Sequence, residues 1–93
     1  MEKKRDAAVA LKYNEEDDDA PRVVAKGFGL TAEKIREAAE KCGIPIRQDS
    51  DLVEMLAQID IDREIPPQLY AAVAEVLAMV YKANNSIKEA ENK

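Results

Sequence analysis

The stretch that most constrains this chain is Ile65 to Lys82, IPPQLYAAVAEVLAMVYK. Pro66 and Pro67 suit a helix start, because the first-turn N–H groups have no intrahelical partner to lose. Beyond them Leu69, Val73, Val76 and Val80 recur at spacings of four, three and four, and Tyr70, Leu77 and Tyr81 form a second row beside them. An apolar stripe this broad predicts a helix buried along one side. Ala71, Ala72, Ala74 and Ala78 raise helix propensity and let neighbours approach closely. At about 1.5 Å per residue, positions 66 to 83 span roughly 27 Å, the width of a small domain. Each large apolar side chain buried here contributes about 1.5–3 kcal/mol, so this helix is the expected centre of the core.

The 93 residues allow one domain. Its expected limits are 7–83, with a flexible arm at 1–6 and a tail at 84–93 that frays or is disordered. Lys and Arg number 14 against 19 Asp and Glu, for a net charge of −5. An acidic chain without a basic stripe is a poor nucleic-acid ligand, since phosphate neutralisation dominates that affinity. The one basic cluster is Lys3, Lys4 and Arg5, read as a solvated terminus. Cys42 is the single cysteine, which excludes an intramolecular disulfide, and it is expected as a small core residue at a helix end. No apolar run approaches the ~20 residues needed to span a bilayer, and no signal-peptide pattern opens the chain. The expectation is a cytoplasmic location without membrane insertion.

In chain order, Ala7 to Tyr13 alternates with period two and predicts a strand covered on both faces. Asn14 to Asp19 is a charged connection. Ala20-Pro21 ends it, and Arg22 to Ala25 reads as a second strand. Lys26-Gly27-Phe28-Gly29 reads as a turn. Leu30 to Cys42 predicts an amphipathic helix, with Thr31 as N-cap, Ile35, Ala38, Ala39 and Cys42 inward, and Gly43 at its C′ position. Ile44-Pro45-Ile46 begins a third strand, parallel to its predecessor across a right-handed helical crossover. Asp49 and Ser50 cap a short helix that buries Leu52 and Leu56 and runs to about Gln58. Asp60 to Glu64 is an acidic turn before the long helix. The expected fold is α/β: a small mixed sheet of three strands, about three helices and one β-α-β crossover.

Catalytic material is scarce. The sequence has no histidine, which removes the commonest general base and metal ligand. The carboxylates of Glu15 to Asp19 and of Asp60, Asp62 and Glu64 fall on expected loops and read as solvated. Asp60-Ile61-Asp62 is similar to the opening of a calcium loop but lacks its glycine and closing glutamate. Ser50 and Ser86 have no base beside them. The reading is a binding protein without catalytic residues, metal or cofactor.

Four segments together resemble a known family. AVALKY (Ala8 to Tyr13), AP-x-VVAKG (Ala20 to Gly27), KIRE-A-A-x-x-x-GIPI (Lys34 to Ile46) and EIPPQLYAAVAEVLA (Glu64 to Ala78) occur in the order and spacing of the cytoplasmic C-terminal domain of FlhB. FlhB is the substrate-specificity switch of flagellar type III export, with injectisome counterparts. The resemblance covers about residues 7 to 82. It implies a four-stranded sheet surrounded by helices, one strand of which has no counterpart here, nor has the membrane domain. The family's self-cleaving Asn-Pro-Thr-His corresponds to Lys3, Lys4, Arg5 and Asp6, and no Asn-Pro occurs in this sequence, so that cleavage is not expected.

The resemblance further implies an apolar patch for export substrates at Ala20, Pro21, Ala74 and Leu77. The competing account has Ala74 and Leu77 simply packing the core. The absent strand leaves Ala7 to Tyr13 beside an open position that another copy, the N-terminal arm or an export-apparatus protein fills by strand addition. The implied function is protein binding to export substrates or apparatus components, at the cytoplasmic face of a membrane export apparatus. The alternative is an interaction or regulatory protein serving another process.

Overall fold

The computed structural model of the chain describes residues 6–14 and 16–91, with side chains through Val80. The basic cluster Lys3, Lys4 and Arg5 lies outside the described residues. Strands β1 (Ala7–Lys12) and β2 (Arg22–Phe28) pair antiparallel, with Ala8 opposite Gly27, Val9 opposite Lys26 and Leu11 opposite Val23. Ala10 faces Ala25, so Val24 is the extra residue of a bulge in β2. Helix α1 (Leu30–Lys41) follows directly, then α2 (Ser50–Ala57), a 3-10 turn (Pro67–Leu69) and α3 (Tyr70–Glu91). The class is α/β with three helices, as expected.

Side chains of directly opposed residues in an antiparallel pair lie on the same face, which fixes the layers. Gly27 lies under Thr31 of α1: a Cβ at this glycine falls 2.7 Å from the Thr31 Cβ. Its partner Ala8 therefore faces α1 too, and Ala8 and Ala32 are both buried. Lys26 points the other way. Its Nζ donates to the Ala57 carbonyl at 2.9 Å and the Ile59 carbonyl at 2.8 Å, closing the C-terminal end of α2. Val9, opposite Lys26, joins the main core of Leu52, Leu56, Ile65, Leu69 and Val73, flanked by Leu11, Ile59, Ala72, Val76 and Leu77. The two strands are thus sandwiched between α1 and the layer of α2 and α3.

The other edge of β2 is also taken at its start. Val23 N–H donates to the Arg63 carbonyl at 3.0 Å, and Ile65 N–H to the Pro21 carbonyl at 2.9 Å. These bonds flank an isolated antiparallel bridge between Arg22 and Glu64. The acidic turn before α3 is therefore a strand-like clamp on β2. It turns through Asp62, whose φ of 71° is left-handed, a conformation Asp tolerates better than most residues.

Several local expectations are corrected. Lys26, Gly27 and Phe28 are strand rather than turn, because β1 pairs with them throughout; the reversal falls at Gly29, with φ 58°. Thr31 is not the N-cap. Gly29 is, without a side-chain cap, and the Thr31 side chain is spent against Gly27. Ala38 and Cys42 are exposed, since α1 makes its closest approach to the narrow sheet near its N-terminus, at Ala32. The third strand and its parallel crossover are absent among the described residues. Ile44 to Asp49 is extended chain, with Ile44 57% and Ile46 41% exposed. The Ile44 N–H bonds Ala39 O and the Gly43 N–H bonds Glu40 O, ending α1 in a Schellman closure around Gly43. Pro45 has no N–H to offer a ladder.

Other expectations hold. Asp49 caps α2, accepting from Leu52 N–H at 3.1 Å, and Leu52 and Leu56 are buried. Substituting Gly27→Ala is expected to lower stability by about 1–3 kcal/mol through overpacking. Adding Thr31→Ala should recover part of that loss in urea unfolding. Independent, additive effects of the two changes would contradict the close packing described.

Candidate functional site

The surface of α3 carries the candidate site. Val73, at 1% exposure, marks the face turned into the core. Ala74 and Leu77, three residues apart, share another row. Ala74 is exposed, while Leu77 is half-buried and packs against the core cluster. Tyr70, one turn before Ala74, is 46% exposed and extends the row. Ala20 and Pro21 lie deeper. Ala20 is 2% exposed and Pro21 is buried, and the Pro21 carbonyl is tied to Ile65 just ahead of the 3-10 turn. Of the four residues expected in the patch, Ala74 and part of Leu77 are displayed, and Ala20 and Pro21 are covered.

The loop leading to Ala20 is built by its own polar groups. Asn14 Oδ1 accepts from Glu16 N–H at 3.0 Å, and Asn14 Nδ2 donates to Asp17 Oδ2 at 3.0 Å. Asp18 accepts from Asn14 N–H at 2.9 Å and from Arg22 Nη2 at 3.1 Å. What composition marks as a repelling acidic run is, over Glu16 to Asp18, an ordered turn held by one amide and one arginine; Glu15 lies outside the described residues.

A second surface was not legible in the sequence. The extended segment after α1 lies against α3, and Ile46, Arg47, Gln48, Glu75, Ala78 and Met79 line an open groove between them. Arg47 Nη2 and Glu75 Oε2, 3.6 Å apart, form an ion pair at this groove. The only sequence signal is an apolar Ile-Pro-Ile that turns out not to pair as a strand.

Charge chemistry is limited. Among the described residues no group of three or more His, Cys, Asp or Glu is placed to hold a metal. The Asp62 N–H donates to the Val23 carbonyl at 2.6 Å, and Glu64 lies opposite Arg22 in the bridge. Asp6, just ahead of β1, receives both Arg36 terminal nitrogens, Nη1 to Oδ1 at 3.0 Å and Nη2 to Oδ2 at 2.6 Å. Hydrogen bonding to Arg36 holds the Asp6 carboxyl below its ordinary value of 3.8, and the same contact raises Arg36. Among the described residues no helix is long and apolar enough to cross a membrane.

Comparison with known proteins is consistent with this geometry. The model of the family described as FlhB HrpN YscU SpaS matches residues 5–80. The Bacillus subtilis (strain 168) protein YlqH is 46% identical over 81 residues, covering 87% of each chain. FlhB of Aquifex aeolicus is 49% identical over 74 residues, covering 78% of this chain and 21% of the relative. The chain thus spans about a fifth of the FlhB protein it matches. The crystal structure of the cytoplasmic domain of FlhB from Shewanella putrefaciens superposes with a TM-score of 0.81 at 37% identity, covering 89% of this chain and 69% of that one.

The Asp6–Arg36 contact makes a signed prediction. A carboxyl whose folded-state value is depressed contributes its stability above its unfolded value, and loses it as pH falls through the folded one. The melting temperatures of wild type and Asp6→Asn should therefore differ near pH 7 and converge below the Asp6 value. A gap that persists into strong acid would assign the effect to something other than this ion pair.

Proposed function

The chain belongs to the FlhB HrpN YscU SpaS family, and from that premise we propose that it is a non-enzymatic protein-binding domain of flagellar or type III export. In this reading it contacts export substrates or components of the export apparatus at the cytoplasmic face of the membrane. The observation that carries it is the family match over residues 5–80, which takes in both strands, α1, α2 and the core-packing part of α3.

Contact falls to the α3 row. Ala74 and the displayed part of Leu77 meet the partner, and the small Ala74 lets another chain approach the helix backbone. Ala20 and Pro21 take a positioning role, fixing the loop beside the start of α3. Self-cleavage is not part of the function, since Asn-Pro occurs nowhere in the sequence.

Deleting the gene should reduce motility or the export of rod and hook subunits, and the wild-type chain should restore it. Ala74→Asp should fail to restore it while leaving the circular dichroism spectrum unchanged and stability within about 0.5 kcal/mol, as for a surface change. Undiminished motility and export in the deletion strain would overturn the reading. The purified chain should also keep its intact mass on prolonged incubation, as read by mass spectrometry. Fragments arising from a break near Asp6 would contradict the absence of cleavage.

A further inference from the structure

Helix α1 is attached differently from the rest of the molecule. Side chains two apart on a strand share a face, so Ala10 lies on the same side as Ala8, and the opposed Ala25 and Gly27 lie there too. The sheet therefore offers α1 three alanines and a glycine, whereas its other face carries Val9 and Leu11 into the main core. Among the described residues of α1 only Ala32 is buried. Ile35, Arg36 and Ala39 are half-buried and the others are exposed, Leu30 at 75%. Hydrophobic attraction scales with the apolar area removed from water, and methyl groups laid on backbone supply little of it. The fit of Thr31 on Gly27 is close, yet the adhesion across this layer is small.

What fastens α1 is polar. The Arg36 guanidinium spans both carboxylate oxygens of Asp6, at 3.0 and 2.6 Å. At either end the chain leaves through a left-handed glycine, Gly29 with φ 58° and Gly43 with φ 70°. A Cβ on either glycine meets no atom within 4 Å among the described residues, so neither backbone is wedged in place. Beyond Gly43 the chain from Ile44 to Asp49 is extended, without a ladder partner among the described residues, and its contact with α3 comes at Ile46 and Arg47.

We propose that α1 is a hinged layer: it leaves the sheet as a unit between Gly29 and Gly43, with the Asp6–Arg36 pair as its latch, while the β1–β2 ladder, the clamp on β2 and the core under α2 and α3 stay intact. A free helix of 12 residues is marginal in water, so α1 unwinds as it leaves. Opening uncovers Ala8, Ala10, Ala25 and Gly27 on the side of the sheet opposite α3. The hinged layer therefore stands or falls independently of the function proposed for the α3 row.

Native-state amide exchange of the full chain in low urea tests this. The amides of Ile35, Ala38 and Ala39 should share one opening, with a smaller free energy and a weaker urea dependence than those of Val23 and Leu77. Two variants separate the layers. Ile65→Val trims the core that survives the opening, so it should speed exchange at Leu77 severalfold and leave α1 unchanged. Asp6→Ala removes the latch, and every opening starts from the latched state. It should therefore speed α1 and Leu77 by the same severalfold factor. An α1 that opens only together with Leu77, in free energy and urea dependence, overturns the proposal. So does protection that declines smoothly toward Lys41 without urea dependence, which is end fraying. An α1 that answers to Ile65→Val, or is indifferent to Asp6→Ala, overturns it as well.

Discussion

Hydrogen bonding along both edges of β2 holds the layers of this molecule in place. A two-stranded ribbon is marginal by itself in water. Here one of its strands is enclosed: β1 lies on one side, and the segment from Asp62 to Ile65 on the other. Val23, completely buried, sits at that junction. The clamp also settles where α3 begins, because Ile65, bonded to Pro21, leads straight into the 3-10 turn. The left-handed Asp62 follows from the same need, since the chain must reverse within the turn before it reaches β2.

What was legible in the sequence was periodic. The stripe from Leu69 to Val76 shows in the bare spacing, and so do the Asp49 cap and the Gly43 stop, because each rests on interactions within a few residues. What was not legible depends on distant neighbours. Gly27 reads as a turn former until Thr31 is seen pressing on it, and Lys26 reads as a surface charge until its ammonium is found on the end of α2. Ile44-Pro45-Ile46 has strand composition, but composition does not supply a neighbouring strand. For the candidate site, helical spacing placed Ala74 and Leu77 on one row, whereas the burial of Ala20 and Pro21 depends on a backbone bond to Ile65 that local pattern does not encode.

The arrangement of polar groups is that of a scaffold. Lys26, Asp18, Asn14 and Arg36 each end on a backbone group or a carboxylate that fixes a turn, a helix end or a strand start. The large apolar residues left exposed include Phe28 and Leu30 around the start of α1, Ile44 and Ile46 on the extended segment after it, and Tyr70 at the start of α3. Those are surfaces suited to another polypeptide, which accords with membership of a family of export proteins.

The displacement of Cys42 from the core to the surface has a practical side. It is the single thiol in the sequence, and it sits just past the end of α1, on the layer opposite α2 and α3. A fluorophore or spin label attached there reports from one defined point without disturbing the helix row that bears Ala74. The molecule thus carries its own attachment point for measuring distances to whatever it holds.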